Sequence, residues 1–249
     1  MNSPLARFVR LVMVALVLVT ASVQPAGAQS DAGPSVLRDT ETELLFKQMS
    51  LPLIQAAGLD PRSVNVVLLN DSEINAFVAT GQTVYIQSGL LEATDNVDQL
   101  QGVVAHELGH VHYHDVPRGL LYLAIVAPFG MLAVARLSER MAPRGAGPVA
   151  AIPAVALSIA LIAPAITTIS NQLSRDVEAR ADRFSMQLTR NPDELIAFQR
   201  RITTQNVGDP DPPGWSTFLL ATHPTPMQRI GQALAFKQGD RAGGPRGGS

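Results

Sequence analysis

The chain of 249 residues contains no cysteine. Disulfide frameworks, thiolate zinc sites, iron–sulfur clusters and a cysteine nucleophile are therefore excluded, and any metal must be held by His, Asp or Glu. Charge is also scarce. Charged residues make up 16%, against roughly 25% in an average soluble domain. Basic and acidic residues nearly balance, 19 against 21, so the chain offers no electrostatic platform for nucleic acid. What it has instead is apolar residues, at 46%. Histidine is rare, at five residues, but four of them fall between His106 and His114.

The apolar residues are grouped. Arg7 and Arg10 precede a 13-residue apolar core, Leu11–Val23, and Ala26-Gly27-Ala28 has the small-x-small form of a cleavage site. Residues 1–28 thus read as a secretory signal, too short for a comfortable span. Its removal leaves 17 basic residues against 21 acidic ones. Residues 29–36 read as a linker. Gly119–Ala135 (17 residues) and Gly145–Ser174 (30 residues) carry no charge, and between them lie Arg136, Arg140 and Arg144. Two readings fit: a membrane hairpin with its basic loop inside, as the positive-inside rule requires, or a pair of buried helices covering a groove. Pro128 and Gly130 weaken the first run as a membrane helix, and Pro153 and Pro164 make the membrane affinity of the second marginal.

Elsewhere the spacing is that of a folded domain. Apolar residues at helical period predict a helix over 39–57, ended by Gly58 and Pro61. Three short β-rich runs follow, at Val64–Leu69, Ile74–Val78 and Thr83–Ile86, with Gly81-Gln82 as a tight turn. They predict a small, largely antiparallel sheet, with the strand at Thr83–Ile86 as an edge open to an extended peptide. Helices are expected over 98–115, interrupted by Pro117, and over 171–190, 193–204 and up to Ala235. The glycine-rich end, 237–249, reads as a disordered tail. The fold class is α+β: mainly helical, with a small sheet, a hydrophobic hairpin inserted at 119–170, and a main domain over 29–236.

His106-Glu107-Leu108-Gly109-His110 has the pattern H-E-x-x-H. One helical turn separates His106 and His110, so both imidazoles leave one face and can share an ion. Zinc suits such nitrogen ligands at about 2.0–2.1 Å and lowers the pKa of bound water to about 7. Glu107, rotated off that face, can exchange a proton with such a water without ligating the ion. Gly109 leaves room for another backbone. The third ligand is best sought in Glu178-Ala-Arg-Ala-Asp182, where Glu178 and Asp182 share a face. Glu178 can complete a His₂Glu set with one position open, and Asp182 can orient a ligating imidazole. The same spacing also describes an ordinary solvated helix face among Arg175, Arg180 and Arg183. Two apolar helices running out and back about 25 Å each would return Asn171–Asp182 to His106–His110. His112 and His114 read as flanking residues, because one helix cannot set three residues around a single tetrahedral ion. Tyr85 and Trp215 read as packing residues.

In order along the chain stand Asn75-Ala76-Phe77 with Val84-Tyr85-Ile86 and Gly89-Leu90-Leu91, then H-E-L-G-H, E-x-x-x-D, and His223-Pro224 followed by Arg229. Over residues 60–235 this series resembles the HtpX-like and CAAX-prenyl-protease-type zinc metallopeptidases. The resemblance implies a zincin-like domain with one zinc per chain on His106, His110 and Glu178, and Glu107 as acid/base. It also implies His223 in the cleft, stabilising an oxyanion or capping the open metal position, and Arg229 paired with a nearby acid such as Asp182. The expectation is an exported zinc endopeptidase, its catalytic domain on the extracytoplasmic side of the cell membrane and held there through 119–170. Its substrates would be unfolded or membrane-associated polypeptides. The competing expectation is a non-catalytic zinc-binding envelope chaperone or assembly factor.

Overall fold

The structure, a computed structural model, describes residues 35–37, 40–79, 82–145, 147 and 149–243. The expected signal at 1–28, Gly81 and the last six residues lie outside that set. The elements in order are β1 (Ser35–Val36), α1 (Thr40–Ala56), β2 (Asn65–Asn70), β3 (Ala76–Ala79), β4 (Thr83–Gln87), α2 (Ser88–Ala93), α3 (Val97–His112) and α4 (Asp115–Met141). A 3₁₀ turn at Val149–Ala151 then leads to α5 (Ile152–Thr189), α6 (Pro192–Gln205), α7 (Gly214–Leu220) and α8 (Pro226–Gly243).

The described residues divide into two compact units, 120–169 forming one and 35–119 with 170–243 the other. In the second unit the sheet has the order β1-β2-β4-β3. It is mixed rather than largely antiparallel. β3 and β4 form the antiparallel hairpin, with Val78 opposite Val84, but β4 lies between β3 and β2 and runs parallel to β2, with Val66 beside Val84. The reason is the connection over 71–75, which carries β3 one strand width past β2 and leaves a gap that β4 fills. β1 forms within the expected linker, pairing antiparallel with β2. The expected edge at Thr83–Ile86 is therefore the sheet interior, where Val84 and Ile86 are fully buried. The outer strands are β1 and β3.

α3 crosses this sheet as the central helix. Asn96 caps it, its side chain accepting from the Gln99 backbone N–H, and Asp98 sits in the first turn, where negative charge meets the positive helix end. Leu100, Val104, Leu108 and Val111 recur at helical spacing and bury against α1, the sheet and Phe198 of α6. The helix stops at His112, because His114 turns left-handed (φ 57°). Pro117 does not interrupt it. It stands third in α4, where a proline removes no intrahelical bond.

Two other boundaries differ from expectation. The apolar run and the charged helix after it form one helix, α5, 38 residues long; no glycine or proline between 165 and 189 gives it a reason to stop. Similarly, α8 runs on through Gly243, past the expected start of the tail, and Lys237 Nζ bonds the Asp193 carboxylate at 2.6 Å.

Within the first unit, Gly130 lets α4 approach α5: a Cβ there would lie 2.8 Å from Ile166 Cδ1. Both helices pass through their internal prolines, Pro128 and Pro164. Their apolar side chains are largely exposed, Leu121, Ile125 and Phe129 among them. Arg136 and Arg140 belong to the end of α4 rather than to a loop.

Gly89 fixes the start of α2. A Cβ there would fall 2.1 Å from the Ser72 carbonyl oxygen, in the loop that carries the chain past β4. Gly89→Ala should cost about 1–3 kcal/mol, whereas Gly231→Ala, in open space on α8, should be neutral or stabilising by up to about 1 kcal/mol. Thermal denaturation of the two variants measures this, and equal midpoints would contradict the assignment.

Candidate metal centre

Four elements bring the site together. α3 supplies His106, Glu107 and His110; α5 supplies Glu178 and Asp182; the segment before α8 supplies His223 and α8 itself Arg229. The close crossing of α3 and α5 depends on two small residues. Gly109 faces Ala181, and a Cβ on Gly109 would lie 3.3 Å from the Ala181 Cα.

His106 Nε2 and His110 Nε2 are 3.2 Å apart. Glu178 completes a triangle, with Oε2 3.3 Å from His106 Nε2 and Oε1 3.7 Å from His110 Nε2. Ligands at 2.0–2.1 Å in a tetrahedron stand about 3.3 Å from one another. The donor atoms thus stand near three corners of a tetrahedron sized for zinc, and the donor set, two imidazoles and a carboxylate, suits that ion. A Glu107 carboxylate oxygen lies within 4.8 Å of a ring nitrogen of each histidine, and Glu107 is buried.

Behind each imidazole stands an acid, and behind each acid an arginine. His106 Nδ1 lies 2.9 Å from Asp182 Oδ1. Asp182 is fully buried and is gripped at both oxygens by Arg229, whose Nε donates to Oδ2 at 2.7 Å. His110 Nδ1 lies 3.0 Å from Asp115 Oδ2, and Asp115 accepts in turn from Arg180. The Arg180 guanidinium sits 4.3 Å above the Tyr113 ring, a cation–π contact. Asp115 and Arg180 were not foreseen. The one sequence signal was an acid five residues beyond the second histidine, and the break at His114 that swings it back under His110 was not visible.

Burial and charge divide the two glutamates. Burial pushes the Glu107 carboxyl up, with the two imidazoles pulling the other way. Glu178 is held well below the usual carboxylate range against its burial, by His106 and His223. Burial would lower His106, but Asp182 and Glu178 outweigh it and push the imidazole up to about 10; a cation at the triangle would compete with that proton. Burial likewise opposes the charge on Asp182, yet Arg229 and His106 bring it down to about 2. Such a pair of glutamates, one kept ionised and one pushed toward the neutral form, is the pattern of a ligand beside a proton carrier.

His223 reaches the site from solvent, its Nδ1 3.4 Å from Glu178 Oε2. Burial lowers its pKa less than the Glu178 bond raises it. His112 turns away, with its Nδ1 3.0 Å from the Ala57 carbonyl and its ring stacked on Phe184; His114 bonds the His112 carbonyl. Tyr85 packs on Phe77, with centroids 5.1 Å apart. Trp215, expected to pack as well, is 68% exposed. A groove of about 520 Å³ runs past the histidines, walled by β3 on one side and by α3, α5 and α6 on the other.

A mainly helical domain with a small sheet, an H-E-x-x-H helix and an acid returned from a second helix is a zincin-like fold. The Ste24p crystal structure from S. mikatae matches it with a TM-score of 0.63 at 14% identity, over 90% of this chain and 56% of that one. The Peptidase family M48 model matches residues 41–236, and the chain belongs to that family. It is 31% identical to a protease HtpX homolog of Listeria monocytogenes over 210 residues, 76% of this chain and 66% of the relative. It is 35% identical to one of Limosilactobacillus fermentum over 153 residues, 55% of this chain. The chain spans only 50% of that second relative's length.

Replacing Asp182 by Asn keeps its shape but leaves Arg229 without a charge partner. The expected cost is about 3–5 kcal/mol, with part of it recovered in the Asp182→Asn/Arg229→Met pair. Chemical denaturation of the two variants checks this, and an unshifted single variant would refute the role of the pair.

Proposed function

We propose that this chain is a zinc-dependent endopeptidase of the cell envelope, acting on unfolded or membrane-associated polypeptides, with His106, His110 and Glu178 holding one zinc ion. The observation that carries the reading is the triangle of donor atoms at 3.2, 3.3 and 3.7 Å with a second, buried glutamate beside it. When bound, zinc supplies Lewis acidity, making a water more acidic and a carbonyl more electrophilic.

The chain's own residues do the rest. Glu107, whose proton affinity burial has raised, takes a proton from the attacking water and passes it to the leaving amine. His223, at the solvent-facing side of Glu178, donates a hydrogen bond to the oxygen that gains charge. The pairs Asp182–Arg229 and Asp115–Arg180 hold the two imidazoles in the tautomer that leaves Nε2 free to ligate. An extended substrate adds to the outer strand β3, whose residues line the groove. Recognition through backbone bonds favours unfolded chains over any one side-chain sequence.

The apolar hairpin supports membrane attachment. Uncharged runs of 17 residues in α4 (119–135) and 23 in α5 (152–174) compare with the roughly 17–25 apolar residues that a bilayer takes. We infer that the peptidase unit lies on the extracytoplasmic side, following the expected signal sequence and the arginines Arg136, Arg140 and Arg144 between the two uncharged runs.

Glu107→Gln should keep zinc at one ion per chain and lower casein cleavage by at least about 10²-fold, within the range of general acid–base contributions. Equal cleavage by both proteins, or none by either when loaded, would favour the non-catalytic chaperone reading. Asp115→Asn should weaken zinc binding by about 10–100-fold, read by chelator competition. Alkaline carbonate should leave the wild-type chain in the membrane pellet. It should release a variant with aspartates at Leu121, Ile125 and Phe129, and wild-type release would refute attachment.

A further inference from the structure

α7 is a seven-residue helix that turns its apolar side to solvent. Trp215, Phe218 and Leu219, at helical spacing, are 68%, 53% and 42% exposed, and Leu220 is 70% exposed. Thr217 faces inward instead. No charged residue occurs between 212 and 222. None of the helix's residues lines the groove beside the histidines, so this face is not part of the substrate channel.

Its attachment is specific. The Leu219, Phe218 and Thr217 carbonyls accept hydrogen bonds from Asn171, Gln172 and Arg175 at 2.8–2.9 Å. All three donors lie on α5, directly after its apolar stretch. From Ile152 to Ser174 that helix carries no charge, and Arg175 is the first. Those 23 residues rise about 34 Å, slightly more than the roughly 30 Å of bilayer hydrocarbon. If Ile152 marks one boundary, residues 171–175 stand at the headgroup level of the other. Leu173, turned about 200° from Asn171 on the same helix, is 47% exposed, so apolar surface continues at that height on the far side of α5.

We propose that α7 is an interfacial lipid-binding helix, which lays Trp215, Phe218, Leu219 and Leu220 into the bilayer surface where α5 leaves it. The proposal rests on membrane attachment through the hairpin. Its chemistry is that of a short surface element: aromatic and aliphatic side chains on the lipid side, with backbone carbonyls satisfied by the protein behind. A lipid surface fits better than a soluble partner, because the face has no charge to steer or orient a protein and continues the uncharged length of α5. Its consequence is that His223, three residues beyond Leu220, is held close to the membrane surface.

Trp215 is the only tryptophan in the chain, so its fluorescence reports on α7 without labelling. The full chain is reconstituted in phosphatidylcholine/phosphatidylglycerol vesicles, with and without brominated acyl chains, and recovered by flotation. The expected result is that Trp215 emission is quenched by bromine near the headgroup end of the chains more than by bromine deep in the bilayer, while aqueous iodide quenches it less than it quenches free tryptophanamide. If the protein floats with the vesicles but iodide quenches Trp215 fully and brominated lipid does not, the proposal is overturned and the hairpin attachment stands. Shielding from both quenchers also overturns it, in favour of a second copy or a bound polypeptide. Failure to float removes both.

Discussion

The site depends on a repulsion. Two imidazole nitrogens and a carboxylate converge on one point, their donor atoms 3.2–3.7 Å apart, and each imidazole is backed by a carboxylate on its other ring nitrogen. Lone pairs at that separation, with little water to screen them, need a proton or a cation between them. The helix crossing that creates the convergence is permitted by small residues, Gly109 against Ala181. The sheet and α1 matter to the site chiefly because they bury the apolar face of α3 and so fix the opposite face.

Two relays surround this point, His106–Asp182–Arg229 and His110–Asp115–Arg180. They draw on different parts of the chain. The first joins α3 to α5 and α8; the second joins the end of α3 to the first residue of α4 and to α5. Asp115 and Arg180 thus stand where the chain leaves for and returns from the apolar hairpin, a short covalent distance from His110 and Glu178. A long insertion between ligand motifs is tolerable because its two ends are pinned together by this ion pair.

Much of this was legible from spacing. The i, i+4 placement of His106 and His110, and of Glu178 and Asp182, fixes faces on helices whatever the tertiary fold; the out-and-back length of the apolar runs brings those faces together. Strand order was not legible, since period-2 patterning says which residues are strands but not which strands are neighbours. Here a five-residue connection let β4 slip between β2 and β3. Asp115 was hidden by a single left-handed residue, His114, that the sequence does not mark with glycine. Trp215 reads from sequence as a packing residue; its exposure follows from a helix whose inner side is occupied by polar latches rather than by apolar partners.

The most direct test is X-ray absorption at the zinc edge on the purified full chain after one equivalent of zinc. The account predicts one tightly held ion whose first shell is nitrogen and oxygen at about 2.0–2.1 Å, with outer-shell scattering from two imidazoles that falls to one in His110→Ala. A bound ion without imidazole scattering, or no zinc retained by the folded protein, would contradict it.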